Sequence, residues 1–447
     1  MAADASNQQS TLTGPMSRRR LLRIAGSSAL GLTALGPLAS CGGSSSGSGN
    51  GGSGPLSFVY LGTAEQQKQY NELFAAFNKK YPDIKLKSTG VPVDNWAAFF
   101  DKVSTQLGGG AKYDLVQVAT EGMQLFATRG LLYPIDEFME KDKAAVDEYL
   151  SDANPKIAEF NKKYASPGGK TYYMPGDFNT MCLWFNKEVF QKAGSDLPTD
   201  DWTWDDFYAA GQKIKSRTGA FLYPATPEYF IGVMPWLLTN GASTLDVEWK
   251  QATADTPQAI EAAEFCQKLV KDKLSPAPGG SFDRFSLAAQ GKLASFGGGR
   301  WPIINIRALN AVDKFGIVAW PHNKAPKGSP VGWATFPIFK SSDKKDKAWT
   351  FIKYLFSKEG GAFFAKLGGT AVPSRKSLAT SEEYLSNSPE GTEKLYEALD
   401  YATPIPSPPK GNLIQRGVED SWGQIVGGNV TAEAGMKKMQ QSIQQNL

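Results

Sequence analysis

Between Leu56 and Val118 short apolar runs alternate with amphipathic stretches, and this alternation restricts the possible fold more than any other feature of the chain. Leu56 to Leu61 has the length and content of a strand. Gly62-Thr63-Ala64-Glu65 then leads into a helix whose apolar face is Tyr70, Leu73, Phe74, Phe77 and Tyr81, at helical spacing. Pro82 closes that helix, and Ile84 to Ser88 reads as a second strand. Asn95 to Leu107 reads as a second helix, with Trp96, Phe99, Phe100, Val103 and Leu107 on one side, stopped by Gly108-Gly109-Gly110. Asp114 to Val118 is a third strand. The alternation predicts α/β layers on a mainly parallel sheet. Ligands of such sheets meet the loops at strand C-terminal ends, here Gly62–Glu65 and Thr120–Gly122.

Ahead of this body lies Ser17-Arg18-Arg19-Arg20-Leu21-Leu22-Arg23, a small-residue apolar run, and Leu38-Ala39-Ser40-Cys41. Clustered arginines before a short greasy segment are the two halves of an export signal. Gly26, Gly31, Gly36 and Pro37 make the run a poor permanent anchor, since a stable span needs about 20 mainly apolar residues. The arginine pair resembles a twin-arginine signal, and Leu-Ala-Ser-Cys resembles a bacterial lipobox, with acylation expected at Cys41. The alternative is an ordinary secretory peptide with an incidental cysteine. Residues 1–40 are therefore expected to be removed. Residues 41–55, rich in Gly and Ser, are expected to tether the body on a coil with an r.m.s. reach of about 20 Å.

Without that leader roughly 400 residues remain, too many for one compact core, so two domains are expected. Arg18, Arg19, Arg20 and Arg23 against Asp4 account for most of the formal charge of +4, so no nucleic-acid partner is implied. Cys182 and Cys266 are expected to be separate buried thiols, Cys266 lying in an apolar helical context. The single histidine, His322, excludes multi-histidine zinc sites and sits in the loop-like Trp320-Pro321-His322-Asn323. No metal, catalytic group or cofactor is expected. With 11 tryptophans, the chain has more than a core requires, so some are expected on a binding surface.

Further strands are expected at Met181–Phe185, Phe315–Trp320 and Ala334–Phe339. Helices are expected at 187–193, 204–216, 257–271, 283–290, 344–357, 378–386, 390–398 and 411–426, with an aromatic segment at 221–237. Four ordered stretches carry a resemblance. They are Tyr113–Val116 through Gly130–Ile135; Leu183-Trp184-Phe185-Asn186-Lys187-Glu188-Val189-Phe190 with Trp204-Asp205-Asp206-Phe207; the glycine-rich 291–301; and Ala348-Trp349-x-Phe351-Ile352 through Val372-Pro373-Ser374-Arg375, with Gly427–Thr431 behind. Together they resemble the extracellular solute-binding proteins of bacterial sugar ABC transporters, the maltose-binding-like group. The resemblance implies a two-lobed α/β fold with a ligand cleft between lobes. Residues 56–177 and 321–370 would build the N-terminal lobe, and 178–320 and 371–447 the C-terminal one. It also implies a carbohydrate ligand, permease subunits and the membrane as partners, and a monomer.

A sugar presents many hydroxyls and two weakly apolar faces, so its site needs flat rings beside hydrogen-bonding groups. The resemblance puts ligand contacts at Glu121 and at Asp177, with capping of the hinge as the alternative for Asp177. Glu65 opens a helix after the first strand and is either a contact or a charge suited to the helix dipole. Tyr229 and Trp236 are expected to flank the cleft, with core packing as the alternative. Asn240, before Gly241, is a turn signal first and a contact second. Gly299, Arg300 and Trp301 are expected to form a stacking platform, glycine allowing close approach and arginine offering a fork of donors. Trp333 is a further ring, or packs on the sheet. A non-sugar solute (a polyol phosphate or a polyamine) and an exported glycosidase remain the alternatives; an arginine at 300 in the cleft would disfavour a polyamine.

Overall fold

The structure is a computed structural model that describes residues 52–447 other than 63, 94, 279–282 and 368. The export signal, Cys41 and most of the Gly/Ser segment lie outside the described residues. Residues 50–447 form one compact unit. No described helix is long and apolar enough to cross a membrane.

The first sheet follows the predicted alternation. Strand β1 (Leu56–Leu61) lies between β2 (Leu86–Val91) and β3 (Leu115–Val116), all parallel, with Leu56 opposite Leu86 and Phe58 opposite Leu115. Helix Ala64–Lys80 returns the chain from β1, and its predicted face lands inside: Tyr70, Leu73, Phe74 and Phe77 are buried. Phe58 sits at the centre, with its ring 5.5 Å from Phe74 edge-on and 5.9 Å from Phe351. Each such side chain removed from water contributes about 1.5–3 kcal/mol. Phe351 comes from helix Lys345–Phe356, so a late segment packs into the core around the first sheet.

The second lobe has a sheet of its own, and here the expectation of parallel strands is corrected. Strand β6 (Cys182–Asn186) runs antiparallel to both β7 (Ser295–Gly298) and β8 (Phe315–Val318). It is not reached through a returning helix. It follows directly from β5 (Phe178–Thr180), which arrives from the first lobe, so nothing forces it into the direction of its neighbours. The apolar faces of helices Trp204–Thr218 and Pro257–Lys271 complete this lobe's core. Cys182 and Cys266 are buried and unbridged.

A third sheet joins the lobes. Strand β9 (Ser329–Thr335) pairs antiparallel with β4 (Val118–Ala119) and with β5, and parallel with β10 (Ala402–Pro404). Gly176 stands where β5 begins to pass β9. A Cβ there would meet the Ala334 carbonyl oxygen at 2.5 Å, so only glycine lets the two backbones come this close.

Candidate ligand cavity

The crossing strands form the floor of a cavity of about 870 Å³, walled by both lobes. This is near the upper end of the range of ligand pockets, roughly 300–1,000 Å³. Aromatic side chains from both lobes stand in its wall. Trp96 lies flat on Phe100, with centroids 5.7 Å apart and 21° between the planes, at the start of a helix capped by Asn95. Trp301 lines the cavity too, 6.2 Å from Phe230. Trp333, on β9, also lines the cavity. It is almost fully buried, its ring lies against Phe160, and its indole N–H donates to Asn161 Oδ1 at 3.2 Å.

Among the described residues four carboxylates line the same space. Glu121 is in the first turn of helix Thr120–Thr128, directly after β4, where the helix dipole favours an anion. Burial pushes its carboxyl up to about 7 despite a hydrogen bond from its own backbone N–H, and the charge of Glu419 pushes the same way. Asp177 is pushed up to about 6 by burial, against hydrogen bonds from Ser374 and the charge of Arg375. The Ser374 N–H donates to Asp177 Oδ1 at 3.0 Å. Glu228 is gripped by the Arg284 fork at 2.8 and 3.2 Å. Glu419 accepts from Gln415 Nε2 at 2.8 Å and from the Tyr229 N–H at 3.2 Å; burial raises its carboxyl as well.

The predicted site residues divide. Glu121, Asp177, Tyr229, Trp301 and Trp333 line the cavity together, with the Tyr229 hydroxyl paired to Thr244. Trp236 is corrected: it is fully buried 5.1 Å from Trp320 and 5.3 Å from Phe265, in the middle of the second lobe's core. Helical placement on Met234–Leu238 turns it inward. Asn240 is also buried away from the cavity, its amide donating to Gln258 O and Glu261 Oε2 and accepting from Asn323. Arg300 diverges from Trp301, which caps helix Pro302–Ala308. Its guanidinium is 1% exposed, lies 4.4 Å from the Tyr384 ring centroid, and donates to Tyr384 O at 3.0 Å. Burial pushes it down to about 10. Gly299 serves packing rather than a ligand: a Cβ would meet Asn179 Oδ1 and the Trp301 ring, each at 2.5 Å. Glu65 lies in helix Ala64–Lys80, and its side chain is outside the described residues.

Sequence reasoning missed Trp96, Phe230 and the pair Gln415 and Glu419. The last two stand four residues apart on helix Gly411–Val426, with Gln415 on the buried face beside Ile414, Val418 and Trp422. A polar residue within an apolar helical stripe was the available signal. His322 is half-buried and does not line the cavity. Among the described residues no group of three or more His, Cys, Asp or Glu is arranged to hold a metal.

The buried acid gives a stability prediction. The Glu121 carboxyl has an ordinary value of 4.5 and about 7 in the folded protein, so between these values the native state holds a proton that the unfolded chain releases. Stability therefore falls as pH rises through this window, and above it the full cost is present, about 3 kcal/mol. Glu121→Gln is expected to stabilise the free protein more at pH 8 than at pH 5. Denaturation midpoints at the two pH values check this; an equal gain at both would contradict it.

The sequence profile described as bacterial extracellular solute-binding protein matches residues 62–362. An arabinooligosaccharide-binding protein of Bacillus subtilis is 27% identical over 369 residues, which span 79% of this chain and 74% of the relative. An ABC substrate-binding protein from Listeria monocytogenes, solved in complex with cycloalternan, superposes with a TM-score of 0.77 at 25% identity, covering 88% of this chain and 98% of that one. The GacH receptor of Streptomyces glaucescens, solved unliganded and with acarbose, has a TM-score of 0.77 at 23% identity over 88% and 98%.

Proposed function

The chain belongs to the bacterial extracellular solute-binding protein family, and from that premise we propose that it captures an oligosaccharide in the cavity between its lobes and delivers it to the permease of an ABC importer. The observation that carries the reading is the combination of aromatic walls from both lobes with buried hydrogen-bond acceptors in one space of oligosaccharide size. Trp301, Trp96 and Trp333 would offer ring faces, and Glu121, Asp177 and Tyr229 would meet hydroxyls. The crossings near 175–179 and 320–323 would act as hinges, separating segments 56–177 and 321–370 from 178–320 and 371–447. The name of the Bacillus subtilis relative supports a sugar of more than one unit. A thermal-shift screen over a sugar library tests this, because binding stabilises by RT ln(1 + [L]/Kd).

A polyol phosphate fits less well: among the described residues the cations that line the cavity, Arg284 and Arg375, are held in ion pairs by Glu228 and by Glu148 and Asp152. The protein would work as a monomeric binder rather than an enzyme, outside the cytoplasm, tethered through acylated Cys41. Cys41→Ser is expected to move it from the membrane fraction to the soluble one. Fractionation unchanged from wild type would sink the tether.

A further inference from the structure

We propose that the end of the cavity built by Glu121, Gln415 and Glu419 takes a protonated amine, so that the ligand is a sugar carrying a basic nitrogen. This deepens the sugar-capture reading and rests on it.

The first argument is charge. Among the described residues four carboxylates line the cavity against two guanidinium groups. Arg284 is forked onto Glu228, and Arg375 is held by Glu148 and Asp152. Asp177 keeps the field of Arg375 and the Ser374 donors. Among the described residues Glu419 has hydrogen bonds from an amide and a backbone N–H but no cation, and Glu121 has only its own N–H. A buried carboxyl and a half-buried one, close enough that the charge of Glu419 raises Glu121, thus stand without a cation among the described residues.

The second argument is independent of charge. Gln415 is 6% exposed and lines the cavity, and its Oε1 has no hydrogen-bond partner among the described residues. Its orientation is fixed, because its NH₂ donates to Glu419; turned over, the amide oxygen would face that carboxylate. A buried acceptor left empty costs about 1–3 kcal/mol, so a donor belongs there. An ammonium brings three donors and a positive charge, whereas a hydroxyl brings one donor and no charge. Only the ammonium answers both arguments. The ring faces of Phe230 and Trp301 suit a sugar ring and tolerate a nearby cation. The arginine that would have opposed a cation, Arg300, is turned away toward Tyr384.

The test uses matched probes: short glucosamine oligomers, their N-acetylated counterparts, the corresponding glucose oligomers, and spermidine as an amine without a sugar. Titration near neutral pH is expected to give the amine-bearing sugar about a tenfold advantage over its N-acetylated twin. That advantage should shrink in high salt, and binding should release protons, read as heats that differ between buffers of different ionisation enthalpy. In Glu121→Gln and, separately, Glu419→Gln the advantage should collapse. An N-acetylated or glucose oligomer binding as well as the amine overturns the proposal and leaves sugar capture standing. Spermidine binding while no sugar binds overturns sugar capture itself, as does silence from every probe. An unchanged preference in both variants, with their melts intact, overturns the assignment to this end of the cavity.

Discussion

Arg375→Met is expected to lower the stability of the free protein by about 2–4 kcal/mol, the largest loss we foresee from one surface-to-core ion pair. The side chain is 2% exposed, and its fork meets Glu148 at 2.6 and 3.1 Å, Asp152 at 3.1 Å and the Phe356 carbonyl at 3.0 Å. These contacts bind the segment after β9 to helix Lys143–Asp152, far apart in sequence. Removing the cation leaves Asp152, 19% exposed, without its counter-charge, whereas Glu148 at 47% is rescued by water, which holds the cost below that of a fully buried pair. Methionine keeps most of the stem volume, so the loss reads the charge and its hydrogen bonds. Lysine, a single point charge, is expected to restore only part of it. The check is the denaturation midpoint of the three proteins, and a midpoint unchanged in the methionine variant would mean that solvent already screens the pair.

Trp301→Ala is expected to cost about 1.5–3 kcal/mol of sugar affinity, the scale of an aromatic face removed from water. The fold should hold, because Trp301 is only half-buried and its nearest ring, Phe230, also faces the cavity. Trp236→Ala should do the reverse, lowering the melt by opening a void among Trp204, Tyr223, Phe265 and Trp320. Calorimetric titration beside melts of the unliganded variants separates the two roles. Weak melting with intact affinity in the Trp301 variant would remove it from the ligand site.

The contrast between those tryptophans marks how far sequence patterning reaches. Helical spacing placed Tyr70, Leu73, Phe74 and Phe77 inward because one element with one apolar face has only one side to bury. The aromatic segment at 221–237 carries rings all round, and periodicity cannot tell a core from a cleft, so Trp236 and Tyr229 were indistinguishable until folded. Strand β9 begins at Ser329-Pro330 and contains Gly332, residues that depress strand propensity, and it ends at Thr335, so the expected strand Ala334–Phe339 meets it only at its first two residues. Its pairing with β4, β5 and β10 is what makes a strand there. Helices Asp136–Lys141, Lys143–Asp152 and Pro155–Tyr164 are short and each buries few residues, which left 140–170 without a legible pattern. Arg300 was misplaced for a simpler reason. Glycines that permit close approach do not say what approaches, and here Trp184, Trp320 and Asn179 do.

Titration of the wild-type protein with the strongest stabiliser from the sugar library, followed by chromatography of the recovered sugar, tests sugar capture most directly. Saturable one-site binding, with the sugar returned at its original length and affinity lost in Trp301→Ala, is the predicted result. A shortened sugar would make this cavity an active site, and saturable binding that ignores Trp301 would move the ligand elsewhere.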